Sequence, residues 1–519
     1  MIRDLTTEYD VSGNPVVRIG MIQSAREIRF RCDCDFAIYG LPGTNAMRGE
    51  KGKTYKATIG KAWAAEVKYC VRLGIESRLA TAERFVSQKA GEGIECDIWR
   101  PGIILKFRDA IFDNSEYWTV TRPFANRQEA ERFVFEYRPA GEAVIVREWG
   151  READGDIRLL DVDWPQKVRI VPENDAGVIR LHDVTVGIGF HWQHKRTQAI
   201  QGILEICFNK AGRLVAVNEI DIEDYLKSVN SSEMSSDNPV ELLKAQTVAA
   251  RSTILATMGK HHYDENYHLC SDDHCQCYHG VENLSEYSIK ASRTTRGQVL
   301  VYKGRICDAR YAKICGGITE DFQNVWDNQE IGYLQSVYDG RQHMELAADK
   351  EEEARKFIDS FPDVYCNTRQ YPIQSNLPYN SKELFRWRVS YSRSQLEEII
   401  REKLDTDFGR LIDLVEGRRG KSGRLSWLDI VGSKRTCRIG KELQIRRLLS
   451  KSYLYSACFY IERERDETGA IGHFHLHGAG WGHGVGLCQV GATVMAQMGF
   501  DYRHILRHYY RNSHLKKIY

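Results

Sequence analysis

The chain has 519 residues, enough for several domains with sizeable hydrophobic cores. Hydrophobic residues make up 42% and charged residues 28%, the composition of an ordinary globular protein, and a net charge of +2 argues against a dominant nucleic-acid-binding surface. No apolar stretch approaches the length of about 20 residues that a membrane span needs, and the N-terminus lacks the hydrophobic segment of a signal peptide.

Alternating apolar residues predict two strands between Val16 and Gly40. The first alternation places Val17, Ile19 and Met21 on one face, and a second begins at Ile28. We therefore expect residues 1–58 to form a strand-rich N-terminal segment.

An internal repeat follows, because the letters of Ala82–Val86 recur at Ala130–Val134. Each copy predicts strand, helix, strand, so residues 59–150 are expected to form a β-α-β-β-α-β domain. This arrangement resembles a SPOR domain, a peptidoglycan-binding module whose family prefers glycan strands stripped of stem peptides. The resemblance implies an exposed sheet face that stacks on sugars, carrying residues such as Tyr69, Arg72, Tyr117, Trp118 and Arg122. The alternative is that these aromatic side chains simply belong to the core.

Residues 151–219 again alternate in hydrophobicity and end in a hairpin over Gly202–Val217. We expect these strands to form the sheet that carries the following segment.

The stretch from Asp221 to Thr253 predicts a helix, a turn and a second helix. Tyr225, Leu226 and Val229 share one face of the first helix, and a small polar loop follows. The second helix is expected from Val240, with Asp237 or Asn238 as its cap and Pro239 in its first turn.

The one acid of the intervening loop is Glu233. A carboxyl on a tight turn between packed helices would be partly desolvated, which raises its pKa and suits it to general-acid work. The simpler alternative is a solvated loop carboxylate.

Residues 261–279 hold three cysteines and five histidines. Zn²⁺ takes thiolate sulfur and imidazole nitrogen in a tetrahedron, and such a site can hold a loop that lacks a core. The spacing is not that of a zinc finger, so a histidine-rich surface loop or a pair of free thiols remains open.

Two glycine-rich blocks lie further along the chain. Gly316 and Gly317 predict a sharp bend. Residues 478–491 contain six glycines and precede a helix expected from Gln489 to Met495, but they match neither a phosphate loop nor a dinucleotide fingerprint.

Taken in order, these blocks resemble the stage II sporulation protein D and amidase enhancer family (SpoIID/LytB) from about Ile200 to the C-terminus. The resemblance rests on Ser232-Glu233-Met234 with Ala245–Ser252, the cysteine- and histidine-rich loop, Cys315-Gly316-Gly317, and Gly480-Trp481-Gly482-His483-Gly484. Family members are lytic transglycosylases acting on peptidoglycan glycan strands, or modifiers of cell-wall amidases.

The resemblance assigns residues to three roles. It implies that Glu233 is the catalytic acid. It implies a structural zinc site formed by Cys270, His274 and Cys275, with His262 or His268 as the fourth ligand and Cys277 as an extra candidate. It also implies a substrate groove lined by Arg251, Gly316, Gly317, Thr319, Trp326, Trp481, His483 and Gln489.

The expected fold is mixed α/β (α+β) and multi-domain: the SPOR-like module, a strand-rich segment, and a SpoIID-type core over residues 220–519. The expected function is non-hydrolytic cleavage of the MurNAc-GlcNAc bond of peptide-free glycan strands, with 1,6-anhydroMurNAc formed and Glu233 acting first as acid and then as base. The alternative is a non-catalytic, glycan-binding activator of a cell-wall N-acetylmuramoyl-L-alanine amidase. An intracellular zinc-dependent or redox protein is a third interpretation.

Localisation stays open at this point. The family usually works outside the cytoplasmic membrane, which implies the cell envelope. The missing signal peptide and fourteen scattered cysteines favour buried thiols in a reducing compartment. Sporulation, division and wall remodelling are all compatible with the sequence.

Overall fold

The structure is a computed structural model that describes residues 8–10, 13–42, 46–107, 110–137, 143–188, 192–234, 238–272, 274–326, 329–342, 348–373, 380–404 and 406–519, with Phe135 described by its backbone alone. The architecture is mixed α+β with several sheets, as the sequence predicts. Across these ranges, no helix combines the length and the apolar composition that crossing a membrane requires.

Five strands open the chain. They are β1 (Val16–Ala25), β2 (Glu27–Cys32), β3 (Phe36–Tyr39), β4 (Met47–Gly49) and β5 (Thr54–Trp63). In β2, Ile28, Phe30 and Cys32 are buried and the residues between them are not, which is the period of a strand with one face on a core.

A small α/β unit comes next. Its elements are β6 (Glu66–Glu76), α1 (Leu79–Gly91), β7 (Cys96–Trp99), β8 (Ile104–Phe107), β9 (Ala110–Asp113), β10 (Tyr117–Thr121), α2 (Arg127–Glu136) and β11 (Val144–Arg151). The sheet order is β11-β6-β10-β7, and the β8–β9 hairpin is inserted between β7 and β10. The chain thus follows a β-α-β-β-α-β order around this insertion, whereas the SPOR assignment itself stays a prediction.

On the sheet face opposite the two helices, Trp118 does not have the exposure expected from the sequence. Trp118 on β10 is only 4% exposed. Its ring lies 5.0 Å from that of Tyr263, which belongs to the C-terminal part of the chain. Trp118 is therefore covered by another part of the same molecule and is not available to stack on a sugar.

Seven further strands return to the first five. They are β12 (Asp154–Leu159), β13 (Val162–Pro165), β14 (Lys167–Pro172), β15 (Ile179–Val186), β16 (His194–Ile200), β17 (Ile203–Phe208) and β18 (Leu214–Asp221). One sheet has the order β13-β12-β5-β2-β15-β16, and the other contains β1-β18-β17-β14-β3-β4. Strand β1 runs antiparallel to β18, from Val16 opposite Asp221 to Ala25 opposite Leu214.

The strand segments expected separately at 1–58 and 151–219 therefore share two sheets, and the small α/β unit is inserted between them. Buried residues of both sheets belong to one hydrophobic cluster, which also includes Tyr225 and Leu226 of the following helix. This shared core fixes the start of that helix against the sheets.

The next elements build the core of the C-terminal part. They are α3 (Ile222–Glu233), α4 (Val240–Thr257), β19 (Leu269–Cys270), α5 (Glu286–Thr294), β20 (Gln298–Tyr302), β21 (Arg305–Ile306), β22 (Tyr311–Ala312) and α6 (Phe322–Val325). Helix α4 contacts α3, α5 and β20, which is why most of its residues are buried and many are small. Strand β19 extends the larger sheet by pairing in parallel with β1.

The remaining elements complete the C-terminal part. They are α7 (Glu351–Asp359), α8 (Ser381–Phe385), β23 (Arg386–Ser392), α9 (Arg393–Lys403), β24 (Leu411–Glu416), β25 (Leu428–Gly432), β26 (Thr436–Ile439), α10 (Glu442–Leu448), β27 (Phe459–Arg465), β28 (Ile471–Ala479), β29 (Leu487–Cys488), α11 (Gln489–Gln497), α12 (Tyr502–Tyr509) and β30 (His514–Lys517). Two of them return to the centre: β29 pairs in parallel with β22, and β30 pairs with β20.

Candidate active site

Glu233 lies at the end of helix α3. Asp221 caps the start of this helix by accepting the backbone N–H groups of Glu223 and Asp224 at 2.6 and 3.0 Å. The expectation that Glu233 belongs to a loop is wrong, because Ser231, Ser232 and Glu233 continue the helix.

The cap of the second helix also differs from the expectation. Pro239, expected in the first turn, itself takes the cap position of α4 and supplies no side-chain cap, so the cap lies one residue after Asn238. The other candidate, Asp237, lies outside the described residues.

Three donors hold the Glu233 carboxyl group. Its Oε1 accepts the Cys277 N–H at 3.0 Å and the Tyr311 hydroxyl at 3.4 Å. Its Oε2 accepts the Lys313 ammonium at 3.1 Å, and the same ammonium binds the Glu233 carbonyl at 2.9 Å. The Glu233 side chain is 9% exposed, and that of Lys313 is 27% exposed. The carboxyl is thus recessed, with the partly exposed ammonium beside it.

The sequence analysis did not assign Tyr311 or Lys313 to the site. Both come from the short strand β22 and the residue after it, and their spacing of two places them on one face of an extended chain. That alternation, just before the Gly316-Gly317 bend, is the signal that could have found them. Burial, with Glu233 as the next cause, raises the pKa of Tyr311, so its hydroxyl stays a donor.

An aromatic wall is linked to this carboxyl through Arg310 and Tyr311. The Trp326 and His483 rings are 4.8 Å apart, and the Arg310 guanidinium lies 4.9 Å from the Trp326 ring. Arg310 directly precedes Tyr311, and Trp326 and His483 are both partly exposed. The wall is therefore connected to Glu233 through two adjacent residues of the chain.

His483 is neutral in this wall. Burial, then the positive charge of Arg310 and Arg424, lowers its pKa to about 3, while a hydrogen bond with the Tyr311 backbone acts in the opposite direction. Its Nδ1 accepts the Val485 N–H at 3.0 Å, which leaves Nε2 as the protonated nitrogen.

The glycine-rich block reaches the site by backbone pairing. Trp481 and Ile314 exchange backbone hydrogen bonds of 2.8 and 3.1 Å, and the Trp481 side chain is partly exposed. Gly316 and Gly317 adopt φ of +86° and +117°, so both positions need glycine for the backbone bend itself. The structure thus gives these glycines a conformational role beside the site.

Three other residues expected in the groove lie inside the protein. Arg251 is fully buried and ion-paired with Glu223 at 2.6 Å. Thr319 is buried, and its Oγ1 accepts the Val337 N–H at 2.7 Å. Gln489 is buried and donates to Gln246 on α4 at 3.3 Å. Their assignment to substrate contacts stays a prediction, and the described contacts give them packing roles instead.

The four residues expected to bind zinc come together. The ligand atoms of His262, Cys270, His274 and Cys275 all lie within 4.8 Å of one another. His262 Nε2 is 3.2 Å from Cys275 Sγ, and His274 Nδ1 is 3.5 and 3.9 Å from Cys275 Sγ and Cys270 Sγ. Bonds of 2.0–2.3 Å to a tetrahedral Zn²⁺ require ligand separations of about 3.3–3.8 Å. The donor set and its spacing therefore fit the ion.

We call these four residues the His262 cluster, and its two thiols have pKa shifts in opposite directions. Hydrogen bonding with Cys275, and then with His262 and His274, lowers the pKa of Cys270, whereas bonding with Cys270 raises that of Cys275. The same loop continues to Cys277, whose N–H binds Glu233. A cation in the cluster would therefore rigidify one of the three contacts of the carboxyl group.

Known proteins match the regions described above. The family model "Stage II sporulation protein" matches residues 210–302, and a domain of unknown function (DUF8618) matches residues 320–486. An uncharacterized protein of Brachyspira hyodysenteriae is 31% identical over 348 residues, which cover 66% of this chain and 80% of that protein.

Other relatives carry functional names. The amidase enhancer of Bacillus subtilis is 26% identical over 303 residues, covering 56% of this chain but only 40% of the enhancer. Stage II sporulation protein D of the same organism is 22% identical over 319 residues, covering 58% of this chain and 76% of that protein. Together with the family model, these matches show that the chain belongs to the SpoIID/LytB family.

Proposed function

We propose that this protein is a peptidoglycan lytic transglycosylase and that Glu233 is its acid and base. The observation that carries the proposal is the recessed Glu233 carboxyl, held by a backbone N–H, a hydroxyl and an ammonium. A partly exposed wall of Trp326 and His483 is linked to it through Arg310 and Tyr311. A carboxyl of fixed orientation linked to an aromatic surface suits proton transfer to a bound sugar.

The chemistry needs one carboxyl group. Protonated Glu233 donates its proton to the oxygen of the MurNAc-GlcNAc bond as the bond from C1 to that oxygen breaks. The resulting carboxylate is stabilised by the Cys277 N–H and the Lys313 ammonium. It then takes the proton of the C6 hydroxyl, whose oxygen bonds to C1 and closes the 1,6-anhydro ring. No water is consumed, so the pair of carboxyl groups that glycoside hydrolysis uses is not required.

The substrate surface is proposed to be the aromatic wall with Trp481. Trp326 and Trp481 are partly exposed and can stack on sugar rings, while the neutral His483 packs against the Trp326 ring and orients it. Arg251, Thr319 and Gln489 would support this surface from inside the protein.

A second glycan contact is proposed on the small α/β unit. Because Trp118 is covered, the candidate is a groove of about 260 Å³ lined by Trp99, Arg100, Arg147, Trp149 and Tyr263. Its two tryptophans offer the stacking surface that the SPOR-like assignment requires. This assignment extends over residues 59–150 and is part of the proposal.

The His262 cluster is proposed to hold a structural Zn²⁺ ion through Cys270, His274, Cys275 and His262. The ion would supply rigidity to the loop, and all four protein ligands would close the coordination sphere. The residues of this chain then orient Glu233 through Cys277, and the ion takes no part in the proton transfer.

A second candidate function is activation of a cell-wall amidase without cleavage of the glycan. Two observations favour it: one relative is named an amidase enhancer, and the Lys313 ammonium engages both the carboxyl and the carbonyl of Glu233. In this case the ion pair would stabilise a binding surface, and both the glycan and the amidase would be partners.

The two functions are separated by one pair of assays. Purified protein is incubated with peptide-free glycan strands alone, and with peptidoglycan plus an N-acetylmuramoyl-L-alanine amidase. The proposed activity predicts that 1,6-anhydro products form without the amidase and that Glu233→Gln abolishes them. The control variant Glu286→Gln should keep the activity, because the Glu286 carboxyl is exposed at the start of α5. Faster amidase turnover with no glycan product would support the second function instead.

A further inference from the structure

A second cluster of metal-binding residues lies in the interior of the C-terminal part. It comprises Cys315, Asp339, Cys366 and Cys488, which are all buried, and their ligand atoms lie within 4.8 Å of one another. Cys315 Sγ is 3.6 Å from Cys366 Sγ and 3.5 Å from Asp339 Oδ2. We call it the Cys315 cluster; it shares no residue with the His262 cluster.

The residues of this cluster come from four separate segments. Cys315 follows β22, and Cys488 ends the two-residue strand β29 and caps α11. Asp339 and Cys366 lie in connecting segments outside the helices and strands. Segments of this kind have few backbone hydrogen bonds of their own, so a shared ion would stabilise them where regular structure does not.

Backbone donors point at the sulfur atoms. Cys488 Sγ accepts the Cys315 N–H at 3.2 Å and the Gly491 N–H at 3.4 Å, and Cys315 Sγ accepts the Gly317 N–H at 3.4 Å. Such bonds favour thiolate over thiol. The position of Cys488 at the start of α11 adds the positive end of the helix dipole.

Asp339 gives the cluster a buried carboxylate. It is 0% exposed and accepts the Tyr509 hydroxyl at 2.6 Å and the Cys366 N–H at 3.1 Å. In the described part of the chain its ion-pair partner is His508, with Nε2 at 3.8 Å. Buried thiols alone would behave as small apolar side chains. A carboxylate buried next to three thiols is different, because a buried charge is costly unless a cation pairs with it.

Burial lowers the pKa of Arg386 to about 10, whereas the neighbouring Cys458, Cys366 and Cys315 act in the opposite direction. Its guanidinium donates to the carbonyl groups of Ser360, Gly316, Phe385 and Phe357. A site with three thiolates and one carboxylate keeps a negative charge after binding a divalent ion. The nearby guanidinium compensates part of that charge.

We propose that Cys315, Asp339, Cys366 and Cys488 form a second, structural Zn²⁺ site. Three sulfur atoms and one carboxylate oxygen are a donor set that Zn²⁺ accepts in a closed tetrahedral site. The ion would join the Gly316-Gly317 bend to the start of α11. It would thereby hold the glycine-rich loop between them, which carries Trp481 and His483. This inference is independent of the proposed glycan chemistry.

The first test measures zinc in a variant without the His262 cluster. The full chain carrying Cys270→Ser and Cys275→Ser is reduced, stripped of metal, reloaded with Zn²⁺ alone and dialysed, and its zinc is counted by plasma mass spectrometry. The proposal expects one zinc per chain. A folded variant that holds none overturns the proposal, as does a disulfide between any two of the three cysteines in the chain isolated without reductant.

The second test adds Cys366→Ser to the same background, with Cys307→Ser as the matched control, because Cys307 is buried outside both clusters. The proposal expects zinc to be lost with the first substitution and kept with the second; equal zinc in both overturns it. If these variants do not fold, X-ray absorption at the zinc edge of the wild-type chain decides. An average of more than two sulfur neighbours per zinc supports the site, and two or fewer overturns it.

Discussion

Replacing Arg251 with Met tests whether this residue belongs to the interior or to the substrate surface. Its Nη2 and Nε bind the two oxygens of Glu223 at 2.6 and 2.8 Å. The arginine side chain is 0% exposed and that of Glu223 is 9% exposed. Met keeps most of the apolar volume but leaves the buried Glu223 without its cation.

The expected cost follows from the remaining partners of Glu223. Breaking a buried ion pair by removing one partner costs about 3–5 kcal/mol. The Tyr519 hydroxyl at 2.7 Å, the Ser292 hydroxyl at 3.0 Å and the Gly297 N–H at 3.2 Å still bind the carboxylate. We therefore expect a loss near the lower end, about 3 kcal/mol in the free energy of unfolding.

This loss depends on pH in a defined direction. Burial raises the pKa of Glu223, but the Arg251 charge and the hydrogen bonds outweigh it, so that pKa lies below its usual value of 4.5. A carboxyl group whose pKa is lowered by folding stabilises the fold at pH values above its unfolded-state pKa. This contribution is lost as the pH falls through the folded-state pKa. The difference between wild type and Arg251→Met should therefore narrow below about pH 4.5.

Urea unfolding followed by circular dichroism measures the effect. The matched control is Lys244→Met on the same helix, where a partly exposed pair with Glu241 is lost at a cost of about 0.5 kcal/mol or less. A loss below about 1 kcal/mol for Arg251→Met, accompanied by weaker glycan binding, would refute the interior role and return Arg251 to the substrate surface.

Three further predictions concern the site. Lys313→Met should slow glycan cleavage by about 10-fold to 100-fold without weakening glycan binding, because the Glu233 carboxylate loses a charge-assisted hydrogen bond. The rate of product formation measures this, with Lys227→Met as the control variant. An unchanged rate for Lys313→Met contradicts the prediction. His483→Gln should flatten the fall in melting temperature between about pH 6.5 and pH 3. A histidine whose folded-state pKa is about 3 takes up its proton more readily in the unfolded state, so it destabilises the fold as the pH falls through this range. An unaltered dependence of melting temperature on pH contradicts the neutral assignment of His483. Zinc chelation should lower the melting temperature in wild type more than in Cys275→Ser, measured by calorimetry, and equal shifts would argue against an ion in the His262 cluster.

The local elements around the site were predictable from the sequence. The helix expected from Gln489 to Met495 is α11 (Gln489–Gln497), and the helix expected from Val240 is α4. The grouping of Cys270, His274 and Cys275 follows the ligand set that the family resemblance implied, and of the two histidines left open as the fourth member it is His262 that joins them. Helix ends were less predictable: the polar letters of Ser231 and Ser232 are typical of a loop, but packing of α3 against α4 and α5 extends the helix through Glu233.

Features that depend on distant pairing were not predictable. Strand β1 pairs with β18 across the whole inserted α/β unit, and no local pattern at Val16 indicates a partner at Asp221. The contacts of Glu233 with Tyr311 and Lys313, and the Cys315 cluster, likewise join segments far apart in the chain. Trp118 was expected on an open face because its own strand does not reveal that Tyr263 covers it.

The most direct test of the central claim is product analysis in water enriched in heavy oxygen. Peptide-free glycan strands are digested by wild type and by Glu233→Gln, and the ends of the fragments are examined by mass spectrometry. The account predicts unlabelled 1,6-anhydroMurNAc ends with wild type, because the C6 oxygen closes the ring, and no fragments with the variant. Labelled reducing ends, or undiminished cleavage by Glu233→Gln, would contradict it.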